Sequence, residues 1–148
     1  MVKNLLGILA IVLMFGLMVV GCVDDNSTNG GSAFDGTWFS DGEISPGMGY
    51  MRIIANNGNF VEALAESKTA INWKNVLEGT YPKNAQSPVE VTITRVNTIL
   101  MGQADEWKTW GQLTPQEIGL LGHGVTQKMT LVIANNQFTM MGITFTRQ

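Results

Sequence analysis

Two stretches of this chain spell nearly the same turn: Ile53-Ile54-Ala55-Asn56-Asn57-Gly58-Asn59-Phe60 and Val132-Ile133-Ala134-Asn135-Asn136-Gln137-Phe138. Asparagine and glycine tolerate positive φ, which the tight turns of two-residue hairpins require. Flanked by apolar runs, such turns predict antiparallel pairs: Tyr50 to Ala55 with Asn59 to Ala65, and Gln127 to Ala134 with Gln137 to Arg147. The likeness is shared turn chemistry, with no tandem repeat of solenoid type. Between these pairs the text stays strand-like. Gly36 to Ser40 is a short strand stopped by Asp41-Gly42, and Thr69 to Trp73 and Leu77 to Tyr81 are weaker ones. Val89 to Val96 alternates, with Val91, Ile93 and Arg95 on one face and Thr92 and Thr94 on the other.

One helix interrupts the strands. Thr114-Pro115-Gln116-Glu117 sets a hydroxyl at the N-cap, proline at the first helical position and glutamate three residues on, a capping box. Ile118, Leu120 and Leu121 give it an apolar face, and Gly122 or Gly124 ends it. About eight short strands with one short helix predict a mainly β fold, a small antiparallel up-and-down β-barrel, with a β-sandwich as the alternative. A barrel of that size fills itself with side chains or holds one small ligand.

The only cysteine, Cys22, stands where an apolar leader meets a polar stretch. Lys3, the apolar run Leu5 to Val20, and Val19-Val20-Gly21-Cys22 have the layout of a bacterial lipoprotein signal. Gly21 admits a peptidase to the bond before Cys22, whose thiolate takes up a diacylglyceryl group. Roughly 16 apolar residues fall short of the ~20 of a spanning helix. The expected organisation is a signal peptide over 1–21, a lipidated tether over 22–33 and a β-barrel domain over 34–148. The tether, VDDNSTNGGSA after the cysteine, would reach roughly 20 Å as a flexible coil. The expected location is the cell envelope, held to the membrane through Cys22 (palmitate and related acyl chains), with Val23 in the following position favouring the outer membrane.

These residues also carry a family resemblance. Phe34-Asp35-Gly36-Thr37-Trp38, Ile54 to Phe60, Gly79-Thr80-Tyr81, Leu113 to Glu117 and the terminal Ile143 to Gln148 resemble the lipocalin-like, calycin-type small barrels of bacterial lipoproteins, particularly spirochaete ones. The resemblance implies an arginine of the last strand packed on the first-strand tryptophan. Arg147 is the matching candidate for Trp38, with Arg95 second. It implies fold and ligand carriage, and transfers no catalytic residue.

Nothing in the text points to catalysis. His123, the only histidine, lacks a nucleophile or companion ligands at telling spacing and reads as a turn between Gly122 and Gly124. Asp105, Glu106 and Glu117 read as a solvated face. No phosphate loop or serine elbow is present, and no cofactor or metal site is expected. Nine basic residues, Lys3 among them, stand scattered against twelve acidic ones, which excludes the electrostatic footprint of a nucleic-acid binder. Trp73, Trp107 and Trp110 are the candidate surface for a ligand or partner, or else anchors for a long connection across one barrel end. Met48, Met51 and Met140-Met141 read as core, or as the lining of an apolar pocket. The expected function is non-catalytic binding of a small apolar ligand. The alternative is a surface interaction module (adhesin, host-factor binder or inhibitor) with a filled barrel.

Overall fold

The computed structural model describes residues 31–44, 49–122 and 125–148. Leader, Gly21, Cys22, Met48 and His123 lie outside the described residues. Among the described residues nine strands follow in order: β1 (Gly36–Ser40), β2 (Tyr50–Asn56), β3 (Asn59–Ala65), β4 (Lys74–Thr80), β5 (Val89–Asn97), β6 (Trp107–Thr109), β7 (Lys128–Leu131), β8 (Gln137–Met140) and β9 (Ile143–Arg147). The fold is mainly β and antiparallel throughout. The order across the sheet is β6-β5-β4-β3-β2-β1-β9-β8, with β7 paired to β5. The first five strands form a meander, and β9 closes back on β1 with Trp38 opposite Arg147.

Turn chemistry sets the hairpins. Asn57 and Gly58 take φ of 52° and 84°, and Asn135 and Asn136 take 52° and 57°, as the two-residue turns require. A third turn of this kind went unread. Met141 and Gly142 take φ of 52° and 77° and fold the expected single strand Gln137 to Arg147 into the β8–β9 hairpin. Thr69 to Trp73 is no strand: Ala70 donates to the Ser67 carbonyl at 3.1 Å and the Trp73 indole to the Ala70 carbonyl at 2.8 Å, so the segment turns on itself. β6 was not anticipated, because three residues are too few to show a period.

β5 carries a break in its alternation. Gly79 pairs with Ile93 but Glu78 with Arg95, so Thr94 is the extra residue of a bulge. The bulge shifts the phase: Val89, Val91 and Ile93 are buried, then Val96, while Arg95 points outward. The expectation that Arg95 shares a face with Val91 and Ile93 fails for this reason. Gly79 serves packing. A Cβ there would lie 2.3 Å from the Phe60 ring, so only glycine lets that ring cross the strand.

The sheet curls around one core but does not close into a barrel. The connection from β7 to β8 contains the two-residue turn Asn135-Asn136, across which Ala134 and Gln137 exchange both backbone hydrogen bonds at 2.9 Å. The ladder then stops. β7 lies on the first half of β5, from Val89↔Leu131 to Thr92↔Lys128, and Ser87 Oγ takes the Ile133 N–H at 2.9 Å. These bonds hold the first arm of the hairpin away from the second. One continuous sheet also excludes the two-sheet sandwich.

The helix α1 (Pro115–Leu120) forms as its cap predicts: Glu117 N–H donates to Thr114 Oγ1, and Thr114 N–H to the Glu117 carboxylate. Two 3-10 turns, Thr98–Met101 and Trp110–Gln112, share its end of the molecule. Register fixes that end. β1 finishes there at Ser40, β3 at Ala65 and β5 at Asn97, whereas Gly36, the Asn57-Gly58 turn and Val89 lie at the other. The described chain enters at this second end, where Ser32 Oγ and the Ala33 N–H both donate to the Ala85 carbonyl. The last two residues of the expected tether are therefore bonded to the connection between β4 and β5, with Ala33 packed against the core.

Candidate functional site

Phe34 occupies the centre of the interior. Its ring meets Phe60, Tyr81 and Phe138 edge-on at centroid distances of 5.6, 5.1 and 5.5 Å, and lies 6.1 Å from Trp38. Phe138 bridges Trp38 at 4.9 Å and Phe145 at 5.1 Å. Each edge-to-face pair adds about 0.5–1.5 kcal/mol beyond area burial. Local bonds hold this plug. Trp38 Nε1 donates to the Phe34 carbonyl at 2.8 Å, and Tyr81 Oη donates to Asp35, which also accepts from the Ser32 N–H at 2.9 Å. Burial, then the Asp35 carboxylate, pushes the Tyr81 phenol above its ordinary range.

The structure brings Trp38 and Arg147 together. The guanidinium carbon lies 4.4 Å from the indole centroid and Arg147 donates to the Ala33 carbonyl. Burial lowers the Arg147 pKa, and nearby Asp35 opposes that shift. Arg95, the second candidate, lies instead over Trp107 at 4.9 Å and pairs with Glu78 at 3.2 Å.

The three other tryptophans do not share one site. Trp73 packs edge-on against Phe39 at 5.7 Å beneath Arg52 at 4.6 Å, on the outer face of β1 and β2. Trp107 lies on β6 under Arg95, and Trp110 packs half-buried against the core. Both stand on the long connection between β5 and β7. Two acidic residues of that connection make local side-chain bonds. Asp105 accepts from Lys74 and, at 2.6 Å, from Asn97 Nδ2; those two bonds, Lys74 first, lower its pKa. Glu117 accepts from Lys108 at 2.7 Å, which with the Thr114 N–H draws its pKa down to about 2. Among the described residues no three potential metal-ligating side chains converge. Met51 and Met140 belong to the core.

Two features were missed. Glu62 on β3 is fully buried, opposite Ile53 on β2 and Leu77 on β4. Neither carboxylate oxygen has a partner, and burial pushes its pKa up to about 7. The signal was available, since strand alternation puts Glu62 in phase with Phe60. The second is the seam left between β7 and β8. An open cleft of about 470 Å³ runs along it, lined by Thr130 and Val132 on one side, Gln137, Phe138 and Thr139 on the other, and Thr144 behind. The lining carries no charge, and Val132 is 66% exposed.

Comparison with known proteins returns no matching family model, curated protein or solved structure.

Proposed function

We propose that this protein is a lipid-anchored component of the bacterial cell envelope whose β domain binds a partner through its surface, without catalysis. The filled interior carries this reading. Phe34, Trp38, Phe60, Phe138 and Phe145, each at most 3% exposed, occupy the space in which a carrier of the same build would hold its ligand. The kinship with lipocalin-like barrels, opened here along one seam, draws support from the Trp38–Arg147 stack and the meander order.

The polarity of the fold is compatible with the anchored arrangement. The chain enters the sheet beside Ala85, at the end opposite α1 and both 3-10 turns. An anchor at Cys22 would tether the domain to the bilayer through that entry end. Of the exposed apolar side chains, Ile71, Leu120 and Ile99 stand on connections of the distal end, while Val132 and Ile54 stand toward the other.

Two measurements test the reading. Radiolabelled palmitate fed to expressing bacteria should enter the protein and be lost in Cys22→Ser; equal labelling of that variant would remove the anchor. A fluorescent fatty-acid probe should show no saturable binding to the folded chain from Ser27 onward. One probe bound per chain would restore the carrier reading.

A further inference from the structure

Four cations of this domain are each matched to a carboxylate: Lys74 to Asp105, Arg95 to Glu78, Lys108 to Glu117 and Lys128 to Glu90. Among the described residues Arg52 and Lys68 have no such match. They stand together on the outer face of β1 and β2. Arg52 lies over Trp73, which packs on Phe39, and Lys68 lies 5.4 Å from the centroid of the Tyr50 ring. Tyr50 and Arg52, two residues apart on β2, point to the same side. Lys68 donates to the Asp41 carbonyl at 3.1 Å, while the Asp41 carboxylate takes the Thr146 hydroxyl at 2.6 Å.

A second arginine–tryptophan stack in the molecule shows what such a pair holds. Arg95 lies 4.9 Å from the Trp107 centroid, and its Nη1 donates to Glu78 at 3.2 Å. Arg52 lies 4.6 Å from the Trp73 centroid, and its Nε is buried without an acceptor. Stacking on a ring face leaves the edge of a guanidinium free, and that edge fits a carboxylate through two parallel N–H bonds. The Arg52 stack thus sets the fork in place, and the chain supplies no carboxylate to it. Its platform is fixed, since the Trp73 indole N–H is spent on the Ala70 carbonyl.

We infer that Arg52 and Lys68 form a docking site for an acidic segment of a partner protein, Arg52 taking one carboxylate through its fork and Lys68 a second. The inference rests on the surface-binding reading above and names its site. A carboxylate is the occupant because it completes the equivalent stack at Arg95. Alternate residues of a strand lie roughly 6.5–7 Å apart, so cations carried over Tyr50 and at Arg52 suit carboxylates at alternate positions of an extended chain. Ile54, 44% exposed and opposite Val61, continues this face beyond Arg52 and offers apolar contact to a neighbouring side chain. Elsewhere on the outer face, Glu78 with Arg95 and Glu90 with Lys128 are already balanced.

The test is selection of a displayed library of random ten-residue peptides on the full-length protein in detergent, with counter-selection on an Arg52→Met/Lys68→Met double variant. Methionine keeps an apolar stem against the rings, and the variant's unfolding midpoint is checked beside the parent's. Enriched peptides should carry Asp or Glu at alternate positions. Fluorescent synthetic copies, read by anisotropy, should bind about 10–100-fold more weakly to Arg52→Met and lose affinity as salt rises. Arg52→Lys keeps the charge without the fork and should weaken the same peptides, so the result does not hang on one variant. Arg95→Met, at the stack that Glu78 completes, should bind as the parent does. No enrichment, or equal binding by Arg52→Met, overturns the site. Enriched peptides without acidic residues overturn the site and leave the surface reading standing, whereas saturable fatty-acid binding overturns the surface reading itself. Binding of a soluble short-chain phosphatidylglycerol that Arg52→Met loses, with no acidic peptide enriched, would make the occupant a lipid phosphate and overturn the proposed one.

Discussion

Replacing Glu62 by glutamine should remove most of a pH dependence that burial builds into the fold. The carboxyl faces Ile53 and Leu77, has no partner for either oxygen, and titrates near 7 in place of its ordinary 4.5. Between those values the folded chain holds a proton that the unfolded chain has released. Stability is therefore full below about pH 4.5 and falls as pH rises through 7. At about 1.36 kcal/mol per unit, the interval costs roughly 3 kcal/mol by pH 8.5, a large share of the ~5–15 kcal/mol of a typical domain. Urea unfolding of the wild type and Glu62→Gln at pH 5 and pH 8.5 separates the effect from every other titrating group, because those cancel in the difference of slopes. The wild type should lose roughly 2–3 kcal/mol more than the variant over that span. The amide carries its own burial cost, so the slope is diagnostic and the absolute stability is not. Equal slopes in the two proteins would refute the reasoning: Glu62 would then be paired or solvated in solution.

Two other substitutions read the packing and the cap. Gly79→Ala sets a Cβ against the Phe60 ring and should destabilise by about 1–3 kcal/mol through overpacking, seen as a lower urea midpoint at unchanged slope; an unchanged midpoint would mean that the ring moves freely. Thr114→Ala removes the acceptor for the Glu117 N–H and should cost about 1 kcal/mol, with amide exchange speeding first in residues 115–120. Because Glu117 is held ionised down to about pH 2, the contribution of its contacts should persist through mild acid and fade as pH falls from about 4.5 toward 2.

The parts of the structure legible in the text are those whose physics is local. Asn57-Gly58 and Asn135-Asn136 turn because their own φ preferences allow it, and Thr114 and Glu117 cap α1 across three residues. The Trp38–Arg147 stack came through family likeness, which compresses tertiary information into a motif. Met141-Gly142 has the same turn geometry as the asparagine pairs but lacks their residue signature. Strands such as Trp107–Thr109 are called up only by a partner, here β5.

What tertiary structure alone decided is where each backbone edge and charge came to rest. The bulge at Thr94 reversed Arg95 because β4 and β5 had to match around Gly79 and the Phe60 ring. Glu62 was written as an ordinary strand residue, and the curl of the sheet removed its water. The chain by itself determined an antiparallel β protein with defined turns and a capped helix, each being a preference of a few neighbouring residues. It did not determine closure, because β7 found a longer partner in β5 than in β8, and that competition between strands far apart in sequence left the seam open.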